Sequence, residues 1–201
     1  MKALTPRPLA TAIAASLLGY AIATIPAARA DADDHDKARK VSAELSSFHE
    51  VHFIAGPPAA LRGAISTKAT GSFKASIDDA LQLINYELTY HGLEGAVTQA
   101  HIHLGQRHTV GGITVWLCQT AGTPAPAAVA AATPFCPAEG TVIGTILPAQ
   151  VLTVTGQGLD AGEFDELIRA IRAGATYANV HSTLFTPGEI RGQIGTGKDR
   201  H

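Results

Sequence analysis

Leu83-Ile84-Asn85-Tyr86-Glu87-Leu88-Thr89-Tyr90 decides the fold class. Ile84, Tyr86, Leu88 and Tyr90 share one face of an extended chain, and Asn85, Glu87 and Thr89 share the other. That two-residue period belongs to a strand with one face on a core and one in water. Gly92 and Gly95 end the run, and 97–104 reads as the next strand. Upstream, 64–77 alternates around Gly71 with Phe73, Ala75 and Ile77 on one face, and Asp78-Asp79 supplies a turn. Downstream, 113–118 (Ile113, Val115 and Leu117 on one face) and 141–146 read as strands. The runs 177–183 and 189–194, joined by the turn Thr186-Pro187-Gly188, predict a terminal hairpin. Short strands separated by turn signals predict a mainly β protein, an antiparallel Greek-key sandwich or barrel.

One helix is expected, over 160–173. Phe164, Leu167, Ile168 and Ile171 form its apolar stripe, Asp160 and Glu163 its entry, Arg169 and Arg172 its last turn, and Gly174 its stop. It is read as packing at the edge of the sheet and carrying no chemistry. The Ala/Pro-rich segment 120–137 reads as an exposed loop, and Val51 to Ile54, ended by Gly56-Pro57-Pro58, as a short first strand.

Residues 1–30 have the layout of a secretory signal peptide: Lys2 and Arg7, an apolar run from Leu9 to Ala23, and the exit Ala28-Arg29-Ala30. Export to the periplasm or the extracellular space is therefore expected, with no membrane span after cleavage. Residues 31–47 read as a solvated lead-in with some helical tendency, 48–195 as one domain, and 196–201 as a tail. The formal net charge of −2 has both signs interspersed, which gives no footprint for nucleic acid. The two cysteines, Cys118 and Cys136, are expected to pair in an oxidising compartment; thiolate metal ligands are the alternative.

The chemistry concentrates in Ala100-His101-Ile102-His103 and Asn179-Val180-His181. Alternation puts His101 and His103 on one face of their strand with Ile102 on the other. Neutral imidazoles suit copper or zinc, whereas calcium and magnesium require oxygen donors. His101, His103 and His181 are the candidate metal ligands, and a three-histidine set leaves one coordination position open. His108 is a candidate additional ligand from the 105–112 loop. Asn179, Glu189, Arg191 and Gln99 are candidates for orienting the rings. Glu189 and Arg191, on one face of the last strand, are expected to pair and fix the hairpin. The alternative for the histidines is a structural role, as hydrogen-bonded ties between strands.

The chain resembles the CHRD domain family, named after chordin and found in many bacterial exported proteins. The resemblance rests on Tyr90-His91-Gly92-Leu93, Ala100-His101-Ile102-His103, Gly111-Gly112 and Gly140-Thr141-Val142-Ile143-Gly144. It continues through Ala173-Gly174, Tyr177-Ala178-Asn179-Val180-His181 and Pro187-Gly188-Glu189-Ile190-Arg191-Gly192-Gln193. The start departs from the pattern: Phe53-Ile54-Ala55-Gly56-Pro57-Pro58 lacks the acidic residue usual before the proline pair. A weaker similarity, in architecture and the His-x-His pattern alone, is to copper–zinc superoxide dismutase.

The sequence thus leads to an exported, non-enzymatic CHRD-type protein that handles a transition metal, copper first and zinc second. Its alternatives are a metal-free module for an envelope or extracellular protein partner, and a superoxide-dismutase-like redox enzyme.

Overall fold

The computed structural model describes residues 40–53 and 62–196. The expected signal peptide, the lead-in up to residue 39, Gly56-Pro57-Pro58 and the tail beyond 196 lie outside the described residues.

The strands are β1 (Lys40–Ser46), β2 (His52–Phe53), β3 (Arg62–Gly63), β4 (Thr70–Asp78), β5 (Leu83–His91), β6 (Val97–Leu104), β7 (Gly112–Cys118), β8 (Gly140–Ile146), β9 (Thr176–Ser182) and β10 (Ile190–Gln193). Among the described residues two α-helices accompany them, α1 (Ala127–Ala130) and α2 (Phe164–Arg172). Eight strands form one antiparallel sheet in the order β7-β6-β9-β10-β1-β4-β5-β8, a nearly closed barrel or sandwich. β2 and β3 pair separately.

The strand that decided the fold class behaves as its alternation requires. Ile84, Tyr86, Leu88 and Tyr90 are buried in the core with Phe73, Ile77, Ile102, Leu117 and Ile146. The ends of the order, β7 and β8, meet without a ladder. Tyr86 bolts this seam from inside: its hydroxyl donates to the Leu117 carbonyl at 2.6 Å. Gly144 makes the bolt possible, because a Cβ there would lie 2.5 Å from the Tyr86 oxygen. The expected Cys118–Cys136 disulfide is formed, and the Tyr90 hydroxyl donates to the Pro137 carbonyl at 2.5 Å beside it.

α2 buries Phe164, Leu167, Ile168 and Ile171 in the core. It starts later than expected, at Phe164, because residues 160–163 form a reciprocal turn. In it the Asp160 N–H donates to the Glu163 carboxylate at 2.8 Å, and the Glu163 N–H to the Asp160 carbonyl at 3.2 Å. The C-terminus closes as a Schellman motif, with Gly174 at φ 65° and Ala175 N–H donating to Ala170 O at 2.9 Å.

Three expectations need correction. Residues 40–46, read as the end of a solvated lead-in, are β1, a central strand between β10 and β4. Its buried face is Val41, Ala43 and Leu45, and the small side chains hide that period among Lys40, Ser42 and Glu44. The segment 120–137 is not simply an exposed loop. Buried Gln119 donates to Ala130 O and Thr133 O and accepts from Ala125 N–H, which folds Ala125 and Val129 onto Trp116. Ile113 does not share a face with Val115 and Leu117, because the β6–β7 register shifts between Ile102 and His103 and leaves Thr114 as an extra residue.

Candidate metal centre

β6 and β9 pair antiparallel with His101 opposite Asn179, His103 opposite Tyr177 and Gln99 opposite His181. Alternation then sorts the two strands by chemistry. Ala100, Ile102, Ala178 and Val180 face the apolar core. His101, His103, Tyr177, Asn179 and His181 share the outer face, yet every one of them is buried. Trp116, opposite His101 on β7, shelters this layer on one flank.

The three histidines meet. One ring nitrogen from each lies within 4.8 Å of those of the other two. Ring centroids are 4.8 Å apart for His101–His181, 5.4 Å for His101–His103 and 6.1 Å for His103–His181. A tetrahedral ion with bonds of about 2.05 Å spaces its donors about 3.3 Å apart, so the widest pair has to close by up to about 1.5 Å.

The hydrogen bonds fix the tautomers. The His103 Nδ1–H donates to the Gly111 carbonyl at 3.0 Å, and the His181 Nδ1–H to the Thr186 carbonyl at 2.8 Å. A carbonyl only accepts, so in both rings Nε2 is the unprotonated nitrogen. His181 Nε2 lies 3.1 Å from His101 Nδ1, which must therefore donate and leave the His101 lone pair on Nε2 as well. His101 Nε2 and His103 Nε2 are buried without a hydrogen-bond partner.

Burial also keeps the rings neutral. It holds His101 well below its ordinary 6.5, with His181 and His103 pushing the same way. It brings His103 to about 4, against the upward pull of the Gly111 carbonyl, and His181 to about 4, against that of Thr186. At neutral pH all three are uncharged imidazoles, the form that binds a metal.

None of the expected orienting side chains hydrogen-bonds a ring directly among the described residues. Backbone carbonyls of Gly111 and Thr186 hold the rings of His103 and His181. Asn179 instead donates to the Glu50 carboxylate and, at 3.3 Å, to the Ile190 carbonyl. Glu189 accepts from the Glu94 N–H at 2.7 Å. Arg191 donates to the carbonyls of Thr109 at 2.6 Å and Gln106 at 3.0 Å, so the hydrogen bonds of the expected Glu189–Arg191 pair go elsewhere. Gln99 stands in register with His181 but bonds none of these rings among the described residues. His108 is exposed at a left-handed position in the 105–111 loop, outside the histidine group.

Two neighbours were missed by the sequence reading. Tyr177 stacks parallel on His103, with centroids 4.7 Å apart at 1°, and Arg191 lies 3.4 Å over the same ring. Its signal was available, since it shares the period of Asn179 and His181. Glu50 is buried, and burial raises its carboxyl above the ordinary 4.5 against the lowering effects of the Val51 N–H, Arg191, His52 and Asn179. Nothing in the sequence around Glu50 marks it.

A family model described as the CHRD domain matches residues 41–194. The match begins inside β1, ahead of the start at residue 48 that the motifs imply, and extends past the end of β10. No curated protein and no solved structure matches the chain.

Proposed function

This chain belongs to the CHRD domain family, and we propose that it holds a transition metal ion through His101, His103 and His181 and serves in metal handling. The observation that carries the proposal is the pair of buried, partnerless lone pairs on His101 Nε2 and His103 Nε2. A buried polar atom left unsatisfied costs about 1–3 kcal/mol, and an ion shared with His181 offsets that cost. Three neutral nitrogens favour copper or zinc, and copper is favoured because divalent copper stands above zinc in intrinsic affinity for nitrogen ligands. Thiolate ligation is excluded, since the two cysteines of the chain are bonded to each other.

Export to the periplasm or beyond is part of the same proposal, supported by the pattern of residues 1–30 and by a disulfide that suits an oxidising compartment. Buffering or delivery fits the geometry better than turnover. A superoxide-dismutase-like reaction needs substrate to reach the ion, and the three rings are only 0–7% exposed. The metal-free module keeps one observation in its favour, the His101–His181 hydrogen bond at 3.1 Å, which ties β6 to β9 without an ion.

The test is elemental mass spectrometry of the mature protein after loading with copper and zinc and thorough desalting, beside His101→Ala/His103→Ala. One retained ion in the wild type and none in the folded variant is the expected result. No retained ion in either protein would sink the metal reading and leave the interaction module.

A further inference from the structure

The loop Gly105 to Gly111 closes over His103, yet Gln106, Arg107, His108 and Val110 are all exposed and Thr109 is only half-buried. With so little side-chain burial of its own, the loop is held by its backbone. Arg191 takes the carbonyls of Gln106 and Thr109, and Gln193 donates to Gly105 O at 2.9 Å. The Tyr177 hydroxyl accepts from the Gly111 N–H at 3.2 Å, and the Gly111 carbonyl accepts from His103. Glycine is required at Gly111, where a Cβ would lie 1.7 Å from the Leu104 carbonyl oxygen, and the fit is tight at Gly105, where one would lie 3.0 Å from the Tyr177 ring.

The same groups run as a stack across three neighbouring strands. His103 comes from β6, Tyr177 from β9 and Arg191 from β10. Arg191 thus touches the loop and the ring against which His103 is aligned, and His103 shares its Nδ1 proton with that same loop. Opening the loop breaks the hydrogen bond that aims the His103 lone pair.

We infer that Arg191 is a positioning residue for the metal centre: it latches the 105–111 loop and, through Tyr177, holds the His103 ring, and so sets how fast the ion enters and leaves. This rests on the three-histidine reading of the site. Lysine in its place keeps the charge but loses the planar stack and the fork that spans two carbonyls.

The experiment compares copper release to a strong chelator by stopped flow in wild type, Arg191→Lys and Tyr177→Phe. Tyr177→Phe keeps the stacked ring and removes only the acceptor for the Gly111 N–H, so it decides the matter if Arg191→Lys does not fold. Leu88→Ala, on the distant β5, controls for general loss of stability. Hydrogen exchange of the His103 Nδ1 proton, read by nitrogen-15 NMR on metal-free protein, follows the latch without any metal. The expected result is one ion still bound, release faster by about tenfold or more in Arg191→Lys and less in Tyr177→Phe, and faster Nδ1 exchange in both. Leu88→Ala should match wild type in both readouts. Release and exchange unchanged in the latch variants, with the ion bound, would overturn the inference and leave the metal site standing. A wild type that holds no ion would overturn the metal reading and this inference together.

Discussion

The metal-free domain should be acid-labile through its histidines, in a pH window set by the site. Unfolded imidazoles take up protons as pH falls through about 6.5, whereas folded His103 and His181 stay neutral down to about 4. Between those values the unfolded chain binds more protons, so stability is complete above pH 6.5 and falls as pH drops toward 4. The gap is worth about 3 kcal/mol per ring once pH is below both values, and about 2 kcal/mol per ring at pH 5. His101, lowered in the same direction, adds to the loss. Glu50 works against it: its raised carboxyl takes a proton in the folded state before the unfolded one does at about 4.5, which contributes stability on the acid side. A net loss of about 4 kcal/mol by pH 5 is a large share of the 5–15 kcal/mol of a typical domain. The assay is urea unfolding of chelator-treated protein at pH 7.5, 6 and 5, with His103→Phe and Glu50→Gln alongside. His103→Phe should flatten the profile and Glu50→Gln steepen its acid end. A wild-type stability that stays level from pH 7.5 to 5 would refute the burial argument.

Trp116 is the only tryptophan in the chain, and its ring lies edge-to-face with His101 at 4.3 Å. One equivalent of Cu(II) should quench most of its fluorescence and zinc should not; a titration without quenching would place copper elsewhere. Removing the disulfide with Cys118→Ala/Cys136→Ala opens a bridge of sequence separation 18. That should cost about 3 kcal/mol and lower the Tm by roughly 6–12 °C in calorimetry. Tyr86→Phe should cost about 1–2 kcal/mol by losing its bond to Leu117. Gly144→Ala should cost more in the same urea assay, because its methyl group meets the Tyr86 ring and oxygen at 2.5–2.6 Å.

The legible parts of this fold were those where alternation is carried by large side chains. β5 and β6 could be read directly, as could the β9–β10 hairpin, because Tyr, Leu and Ile alternate with polar residues or stand between identified turns. β1 was illegible for the opposite reason: its buried set of Val41, Ala43 and Leu45 is small and follows a charged segment. β7 misled where the register shift at Thr114 moved Ile113 to the other face. In the site, the shared face of His101 and His103 was anticipated from spacing, and His181 was proposed with them as a third ligand to be brought in by the fold. The Gly111 and Thr186 carbonyls that bond the rings were not anticipated, since backbone groups leave no trace in side-chain identity. Glu50 was hidden because its partner Asn179 is remote in sequence and meets it only through the fold.

An antiparallel sheet normally gives one face to the core and the other to water. The β6–β9 pair gives both faces to protein, and the second face is filled with imidazoles, an amide and a phenol. Stability alone is a poor reason for this arrangement. Apolar side chains of similar volume would fill the space without desolvating three titratable rings, and without stranding His101 Nε2, His103 Nε2 and Asn179 Oδ1. The cost is also specific in its chemistry. Two carbonyls dictate the tautomers of His103 and His181, and His181 in turn that of His101, so the lone pairs left without a partner are those on His101 Nε2 and His103 Nε2. A purely structural histidine needs its donors satisfied; it gains nothing from a buried acceptor that no protein donor meets. A ligand for an electron-pair acceptor needs that bare nitrogen, which is why the orphaned atoms weigh more heavily for a metal than the His101–His181 bond weighs against it.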